Sequence, residues 1–334
     1  MADAGKAMAA HYHRHARSQR VAVELMMRDF DAAVIAALQT IPPGQTAFRV
    51  LDLGVADGVN TGELVDVLLR RTRELAQIVD IELGLLDLPE NNWAVLAASS
   101  REWVSAATAA GLRLHVRMAP QSFYEALAPP RSLDVVWACT ALHWSAGTGD
   151  AEGELDTVLQ RVADSLRPGG TFVATTPSVV PAELPGQPPL RRWWHRDLVA
   201  ASAVPSYRAL LPAFQRSVHS WSEAVWRKHL SSPAASAVFD VHELRSVDIE
   251  DVYWRDATDA IDYAREHTAS FEVVMDGMLR LLDGKSDVKS ERQKVLAHVS
   301  AAAQSAYESA QSRGDAPAVQ HDGLSVVVFA VRRG

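Results

Sequence analysis

The sequence predicts an α/β fold in which helices cover both faces of a mostly parallel sheet. Short apolar runs with strand character alternate with longer segments whose apolar residues recur at helical spacing. The strand candidates, such as Phe48–Leu53, are apolar at nearly every position, which is typical of strands buried on both faces. Prolines and glycines, as at Pro168–Gly170, separate the segments. Because the chain has 334 residues, we expect one such core with a helical appendage.

The elements of the first half follow from these patterns in order. Apolar residues three and four apart predict a helix over residues 21–39, which ends at the Pro42–Gly44 turn. A strand at Phe48–Leu53 leads through a glycine-containing turn into a helix at Glu63–Leu75. Further strands are predicted at Val79–Asp87, Leu112–Met118, Leu133–Ala138 and Thr171–Thr175. Further helices are predicted at Asn92–Ala109, from Phe123, and at Leu155–Leu166.

The second half begins with a change of pattern near Pro177, where a proline-rich loop precedes helices that carry several tryptophans. Two late strands, Leu244–Trp254 and Leu324–Val331, raise the predicted sheet to seven strands, and helices are predicted at Ala257–Leu282 and Val288–Gln311. We expect a core at residues 1–176 with an N-terminal lid helix. A helical cap is expected at 177–240, extending into 257–285, with a return to the core sheet at 241–256 and 286–334.

Composition and charge exclude several classes of protein. Hydrophobic residues make up 48% and charged residues 22%, as in soluble globular proteins. The net charge of −8 and the short basic run Arg191–Arg196 argue against binding of nucleic acid. Cys139 is the only cysteine, which excludes an intrachain disulfide and favours the cytoplasm. Since no apolar run has the length of a signal peptide or membrane helix, we expect neither export nor membrane insertion.

The turn after the first predicted strand, Asp52–Thr61, is a candidate ligand site. Ligands of open α/β sheets bind at the carboxyl ends of the strands, and glycines there allow the backbone to approach a ligand closely. Gly54 and Gly58 are spaced G-x-x-x-G, so the G-x-G-x-x-G pattern of dinucleotide sites is absent. Asp57 would also repel a phosphate. A sulfonium amino acid therefore fits this turn better than NAD.

Asp87 ends the second predicted strand and has two interpretations. Its carboxylate can accept hydrogen bonds from both hydroxyls of a ribose. Alternatively, it is a strand-ending aspartate that only caps the following helix. The sequence pattern alone leaves both interpretations open.

Short segments of the chain match one family pattern in order and spacing. These are Tyr12 and Gln19 seven residues apart, Asp52–Thr61, Asp87-Leu88-Pro89 with Asn91, Ser122-Phe123-Tyr124, and Leu142-His143-Trp144-Ser145. Over residues 10 to about 175 they resemble the SABATH family of plant carboxyl methyltransferases, which esterify salicylate, benzoate, jasmonate and related acids. The resemblance implies a Rossmann-like seven-stranded methyltransferase core with a helical cap. It leads us to expect a member of bacterial type.

The resemblance also implies roles for individual residues. The residues that would line the pocket for S-adenosylmethionine (SAM) are Tyr12, Asp52, Gly54, Asp57, Asn60, Asp87, Leu88, Ser122 and Phe123. Phe123 would lie against the adenine and Tyr12 would close over the cofactor. Gln19 and Trp144 would hold the acceptor carboxylate, with His143 beside it, and S-adenosylhomocysteine (SAH) would be the product.

The chemistry of ester formation agrees with these residue types. A carboxylic acid with a reference pKa of about 4 is already ionised at neutral pH, so its methylation by SN2 transfer needs no general base. The task is to position the acceptor. The amide of Gln19 and the indole N–H of Trp144 are donors that can bind one carboxylate oxygen and leave the other to react.

Each residue also has a structural interpretation. Trp144 could be a core aromatic, Gln19 a solvated helix residue and His143 a packing histidine. The alternate histidines His11, His13 and His15 would diverge on a helix, so we predict no metal site there or elsewhere. We expect one or two tryptophans of the cap to contact the substrate, and the candidates are Trp193, Trp194, Trp221 and Trp226.

The chain departs from the family pattern at several positions. His15 and Ala16 replace the family asparagine and serine, and Thr140 stands where a tyrosine often flanks an aromatic acid. The acceptor could therefore be an aromatic, heteroaromatic or fatty acid, and the partner that we expect is such a small carboxylic acid. The resemblance allows a homodimer. Three alternatives are a nitrogen acceptor, SAM binding without catalysis, and an NAD-dependent oxidoreductase, the last opposed by Asp57.

Overall fold

The computed structural model describes residues 17–74, 78–146, 148–178, 192–216, 218–219, 221–276, 279, 288–314 and 321–333. By its internal contacts the chain divides into two compact units. The sheet unit comprises Ala22–Thr176, Trp221–Ser246 and Val326–Gly334. The helical unit comprises Met1–Val21, Pro177–Ser220 and Val247–Ser325.

The order of the elements begins with the helix α1 and alternates between strands and helices up to β5. The elements up to that strand are α1 (Arg17–Gln39), β1 (Ala47–Leu53), α2 (Val59–Arg73), β2 (Asp80–Asp87), α3 (Trp93–Ala109), β3 (Arg113–Pro120), β4 (Leu133–Cys139), α4 (Ala151–Ser165) and β5 (Leu166–Ser178). Those that follow are α5 (Arg192–Ala201), α6 (Pro205–Arg216), α7 (Glu223–Leu230), α8 (Pro233–Val238), β6 (Phe239–Glu250), α9 (Val252–Asp256), α10 (Ala260–Val274), α11 (Val288–Ser312) and β7 (His321–Arg332).

The sheet has seven strands in the order β3-β2-β1-β4-β5-β7-β6. Four neighbouring pairs are parallel, namely β1 with β2, β2 with β3, β1 with β4, and β4 with β5. From β1 the chain runs outward through β2 and β3, and it then returns to the other side of β1 with β4. The order of strands therefore reverses at β1, and a crevice at such a reversal is the usual ligand site of an open α/β sheet.

The core of the sheet unit is built from the apolar strands and the apolar faces of their helices. Asp52 pairs in register with Leu85 of β2 and Trp137 of β4, which brings the carboxyl ends of the three strands to one edge of the sheet. Helix α3 begins where Asn92 accepts a hydrogen bond from the backbone N–H of Val95 (3.3 Å).

A buried ion pair joins helix α1 to the strands. Arg167 donates through Nε to Asp134 and through Nη2 to the carbonyl of Ala37 near the end of α1 (2.8 Å). Asp134 also accepts from the backbone N–H of Arg49 (2.7 Å) and from the side-chain amide of Gln45 (3.0 Å). Since both charges are buried and hydrogen-bonded, the pair fixes α1 against β1, β4 and β5.

The helical unit has an aromatic core of its own. Its buried members are Val252, Tyr253, Trp254, Tyr263, Ala264, Ala303, Tyr307 and Ala310. The rings of Trp254 and Tyr307 lie 4.3 Å apart between their centroids. Beside this core, His267 Nε2 lies 2.7 Å from the buried carboxylate of Asp197, which Arg196 also contacts (3.1 Å).

The predicted α/β class with a seven-stranded sheet is confirmed, but two predicted elements are wrong. No helix begins at Phe123, because Pro129 and Pro130 follow within seven residues and disfavour helical backbone before them. The strand predicted at Leu244–Trp254 instead ends at Glu250. Asp251 then accepts hydrogen bonds from the N–H groups of the next helix and so starts α9.

The ends of the other elements differ from the predicted ends by a few residues. This is expected because capping side chains, and not the apolar pattern, determine where a helix ends. The predicted end of a helix at Leu282 lies outside the described residues. Among the described helices, none is both long and apolar enough to cross a membrane. Helix α11 groups with the helical unit, and the domain boundaries expected from the sequence stay predictions.

Candidate active site

The candidate site lies in the sheet unit, at the carboxyl ends of β1, β2 and β4. Gly54 follows β1 with φ +76°, a left-handed conformation that favours glycine. A Cβ atom at Gly54 would overlap the Cβ of Ala141, which follows β4. The loops after β1 and β4 can therefore approach this closely only because residue 54 has no side chain.

The same loop enters helix α2 through a second constrained glycine. Gly58 has φ +82°, and a Cβ atom there would lie 2.6 Å from Leu96 and 3.0 Å from Trp103. Asp57 accepts a hydrogen bond from the N–H of Val59 (3.3 Å), at the start of the helix. Asn60 is half-buried in the first turn. The two glycines thus shape a loop that leads directly from the sheet into the helix.

Asp87 binds the loops after β1 and β2 together. One of its carboxylate oxygens accepts from the N–H of Ala56 and the other from the N–H of Leu88, both at 2.7 Å. The helix-capping interpretation is wrong, because Asn92 caps α3. Burial raises the pKa of Asp87, although the two N–H donors act in the opposite direction. Each oxygen accepts one N–H donor and keeps capacity for another.

Asp52 lies beneath the loop and not on its surface. Its side chain is 1% exposed, and one oxygen accepts from the hydroxyl of Thr61 (2.6 Å). The other oxygen, Oδ1, is buried, and the indole of Trp137 lies beside the carboxylate. Burial raises the pKa of Asp52 to about 7, and the neighbouring carboxylate of Asp87 adds to this effect. Sequence reasoning did not predict the contact with Thr61.

The segments around Phe123 and Trp144 meet through a tyrosine. The hydroxyl of Tyr124 donates to the backbone carbonyl of Trp144 (2.7 Å). The ring of Phe123 lies 4.8 Å from that of Tyr124, and Ser122 accepts from the N–H of Tyr124 (3.3 Å). This hydrogen bond makes a tight turn, which is the structure that replaces the helix predicted from Phe123.

A buried carboxylate that the sequence reasoning missed organises the loop after β4. Glu154 is 3% exposed and accepts from the hydroxyl of Ser145 (3.1 Å) and the N–H of Ala146 (2.8 Å). It also accepts from the N–H of Thr148 (2.9 Å). In the sequence, Glu154 looks like any acidic residue in the first turn of a helix, so its role was not visible there. Its bonds fix the segment that carries His143 and Trp144.

His143 and Trp144 lie side by side in this loop. Their ring centroids are 4.8 Å apart. His143 is buried, whereas Trp144 is half-buried. The interpretation of Trp144 as a core aromatic and its proposed role at the acceptor both stay predictions.

Four of the family-like segments are joined directly in the sheet unit. Ala56 accepts from the amide of Asn91 (2.8 Å), and the N–H of Gln121 donates to the carbonyl of Asp87 (2.9 Å). With the Tyr124–Trp144 bond and the approach of Gly54 to Ala141, these contacts link residues that lie up to about ninety positions apart in sequence. The predicted clustering of these segments is thus observed.

Gln19 belongs to the helical unit and lies in the first turn of α1. It is 9% exposed, so the interpretation as a solvated helix residue is wrong. Its Oε1 atom is buried without a hydrogen-bond partner among the described residues.

The remaining predicted residues lie outside the described part of the chain or in the core of the sheet unit. Tyr12, His11, His13 and His15 lie outside the described residues. In the parts of the chain that the structure describes, no group of three His, Cys, Asp or Glu side chains is arranged to hold a metal ion. Two of the four tryptophans proposed for substrate contact, Trp221 and Trp226, pack edge to face in the core of the sheet unit, 5.8 Å apart. The side chains of Trp193 and Trp194 lie outside the described residues, so the expectation that one or two of the four contact the substrate stays a prediction.

Comparison with known proteins identifies related sequences over the first half of the chain. Residues 2–154 match the model of a family described as SAM dependent carboxyl methyltransferase. Methyltransferase FUS9 of Gibberella moniliformis is 28% identical over 134 residues, 40% of this chain and 36% of that protein. Indole-3-acetate O-methyltransferase 1 of Oryza sativa subsp. japonica is 29% identical over 158 residues, 40% of this chain and 37% of that protein.

The fold extends the comparison to nearly the whole chain. The solved structure of a loganic acid methyltransferase with SAH superposes with a TM-score of 0.70, and the match covers 97% of this chain and 96% of that one. At 14% identity this likeness shows the fold alone. In sequence, the chain spans only a little over a third of the length of the curated relatives it matches. Residues 2–154, somewhat less than half of the chain, therefore resemble the family of SAM-dependent carboxyl methyltransferases, which is the family predicted from the motifs.

Proposed function

We propose that the chain is a methyltransferase that converts the free carboxylate of a small organic acid into its methyl ester, with SAM as methyl donor. The observation that carries this proposal is the joining of four family-like segments around Asp87, at the reversal of strand order. The match of residues 2–154 to the carboxyl methyltransferase family supports the same activity. The fold shared with loganic acid methyltransferase is consistent with it.

The residues at this edge of the sheet fit SAM. Asp87 is held by two backbone donors and still has acceptor capacity for the two hydroxyls of a ribose. Asp57 and Asp87 place negative charge around the loop, which suits a cationic sulfonium and opposes a phosphate. We assign the rest of the pocket to Tyr12, Gly54, Asn60, Leu88, Ser122 and Phe123. Asp52 would support the pocket indirectly, because it accepts a hydrogen bond from Thr61 near the start of α2.

Methyl transfer to a carboxylate requires the protein to position SAM and the acceptor, and it requires no proton transfer. When bound, SAM supplies a methyl group that is already activated by the positive charge on its sulfur. A carboxylate acceptor is ionised at neutral pH, so no residue has to remove a proton. We assign the binding of one acceptor oxygen to Gln19 and Trp144, with His143 supporting Trp144. A donor that binds one carboxylate oxygen leaves the other oxygen to react.

The acceptor assignment predicts a specific pattern of kinetic loss. Gln19→Ala and Trp144→Ala should each lower kcat/KM for the acid about ten-fold or more, since hydrogen bonds to a charged group contribute about 1.5–3 kcal/mol. The affinity for SAM, measured by calorimetry, should change less than about three-fold. Gln39→Ala, at the other end of α1, is a control that should leave both values unchanged. Equal loss of SAM affinity in the two acceptor variants would reject this assignment.

The activity itself is tested with methyl-labelled SAM and a mixed panel of benzoates, indole acids, short acids and fatty acids. Mass spectrometry should find a labelled methyl ester, and its identity names the class of acid. Labelled N-methyl products would instead establish a nitrogen acceptor. If the protein binds SAH but methylates neither kind of acceptor, the role is SAM binding without catalysis.

A further inference from the structure

The first turn of helix α1 is held by residues from the other end of the helical unit. The backbone N–H of Arg17 donates to the hydroxyl of Tyr253 (3.0 Å). The guanidinium of Arg17 forms an ion pair with Asp256 and lies 5.5 Å from the centre of the Tyr253 ring. The first N–H groups of a helix have no partner within the helix, so an outside acceptor such as Tyr253 stabilises this end.

Tyr253 is itself held in place on several sides. Its side chain is 2% exposed, and its hydroxyl donates to Ser270 (2.9 Å). Its backbone N–H donates to Asp251 at the start of α9 (3.1 Å). The ring of His267 packs edge to face against it, 6.0 Å between centroids. Because the hydroxyl hydrogen is committed to Ser270, a lone pair of the oxygen is oriented to accept from Arg17.

Gln19 lies two residues after Arg17, in the same turn of α1. Its side chain is buried, and its amide N–H group is the donor that the proposed function assigns to the acceptor carboxylate. The first and last turns of a helix fray unless tertiary contacts hold them. A donor that must place an acceptor oxygen to within a fraction of an ångström therefore needs a fixed first turn.

We propose that Tyr253 is a positioning residue, which fixes the first turn of α1 through the N–H of Arg17 and thereby holds the Gln19 amide in place for the acceptor. The proposal rests on the proposed function for its kinetic consequence. The fixing of the turn is a separate claim about backbone stability. The two claims can therefore be tested by different measurements.

The first measurement is hydrogen exchange of the full-length protein by mass spectrometry. Tyr253→Phe removes only the hydroxyl, and peptides that begin at the first turn of α1 should exchange about three- to ten-fold faster. Tyr307→Phe is the matched control, since Tyr307 is buried in the same aromatic core and its hydroxyl accepts from the side-chain amide of Gln311 (3.2 Å). Unchanged exchange in Tyr253→Phe, or equal acceleration in both variants, would overturn the proposal.

The second measurement is a double-mutant cycle on methyl transfer. Tyr253→Phe should lower kcat/KM for the acid about three- to ten-fold and leave SAM affinity unchanged, whereas Tyr307→Phe should change neither. In a Gln19→Ala background, Tyr253→Phe should cause no further loss, because the amide it positions is gone. Additive losses would show that Tyr253 acts by another route. If the wild type methylates no acid, the proposed function fails, and the exchange data still decide whether Tyr253 fixes the turn.

Discussion

At the scale of single residues, the site depends on carboxylates whose environments differ. Asp87 is half-buried and accepts from two N–H groups, whereas Asp52 is fully buried and accepts from the hydroxyl of Thr61. We propose that Asp87 contacts the ligand and that Asp52 supports the loop through Thr61. The sequence showed both as aspartates at strand ends, so only their surroundings separate their roles.

Asp87→Ala should weaken the binding of both SAM and SAH. It removes an ionised acceptor of ribose hydroxyls and leaves the N–H groups of Ala56 and Leu88 without their partner. We expect a loss of at least about ten-fold in affinity by calorimetry. Glu90→Ala removes the same charge from an exposed position in the same loop and should bind normally. Unchanged affinity in a folded Asp87→Ala protein would exclude the ribose contact.

Asp52 should make the protein less stable as the pH rises. Its pKa in the folded state is raised to about 7, so the folded state binds the proton more tightly than the unfolded state does. The stabilisation is complete below about pH 4 and is lost as the pH rises to about 7; it amounts to at most about 4 kcal/mol. Urea unfolding at pH 5 and pH 8 measures this loss.

The Asn variant separates Asp52 from other titrating groups. Asp52→Asn keeps an oxygen for Thr61 but cannot ionise, so its stability should fall less between pH 5 and pH 8 than that of the wild type. Asp66→Asn, on the exposed face of α2, should behave like the wild type. Equal pH dependence in all three proteins would mean that Asp52 does not carry a raised pKa.

At the scale of elements, hydrogen-bonding side chains decide where helices begin and strands end. Asn92 starts α3, and Asp251 both ends β6 early and starts α9. The apolar pattern predicted that these elements exist. It placed Trp254 on a strand, because a buried aromatic in an apolar run has the same appearance on either kind of element.

The ion pair between Arg167 and Asp134 holds α1 against the sheet and should be essential for stability. Arg167→Ala leaves the buried Asp134 without its cation and frees the carbonyl of Ala37. We expect a loss of about 3–5 kcal/mol in the free energy of unfolding. Arg49→Ala breaks a solvent-exposed pair with Glu82 and should cost less than about 1 kcal/mol. Comparable losses in the two variants by urea denaturation would contradict this assignment.

At the scale of the whole molecule, the residues proposed for function belong partly to the sheet unit and partly to the helical unit. The segments around Asp87 and Trp144 belong to the sheet unit, whereas Gln19 and Tyr253 belong to the helical unit. The sheet unit contains most of the segment that matches the carboxyl methyltransferase family. The helical unit has its own aromatic core, which supports the start of α1.

The sequence by itself determined the α/β class, the strands up to β5 and the family-like segments. These are set by local signals, namely apolar period, glycine at left-handed turns and short runs of fixed spacing. Only the tertiary structure decided that Glu154 fixes the Trp144 loop, that Asp52 is buried beneath Thr61, and that Tyr253 caps α1. Each of these contacts joins segments that are distant in sequence and meet only in the folded chain. Its contribution to stability comes from burial and hydrogen bonding, which no local sequence pattern predicts.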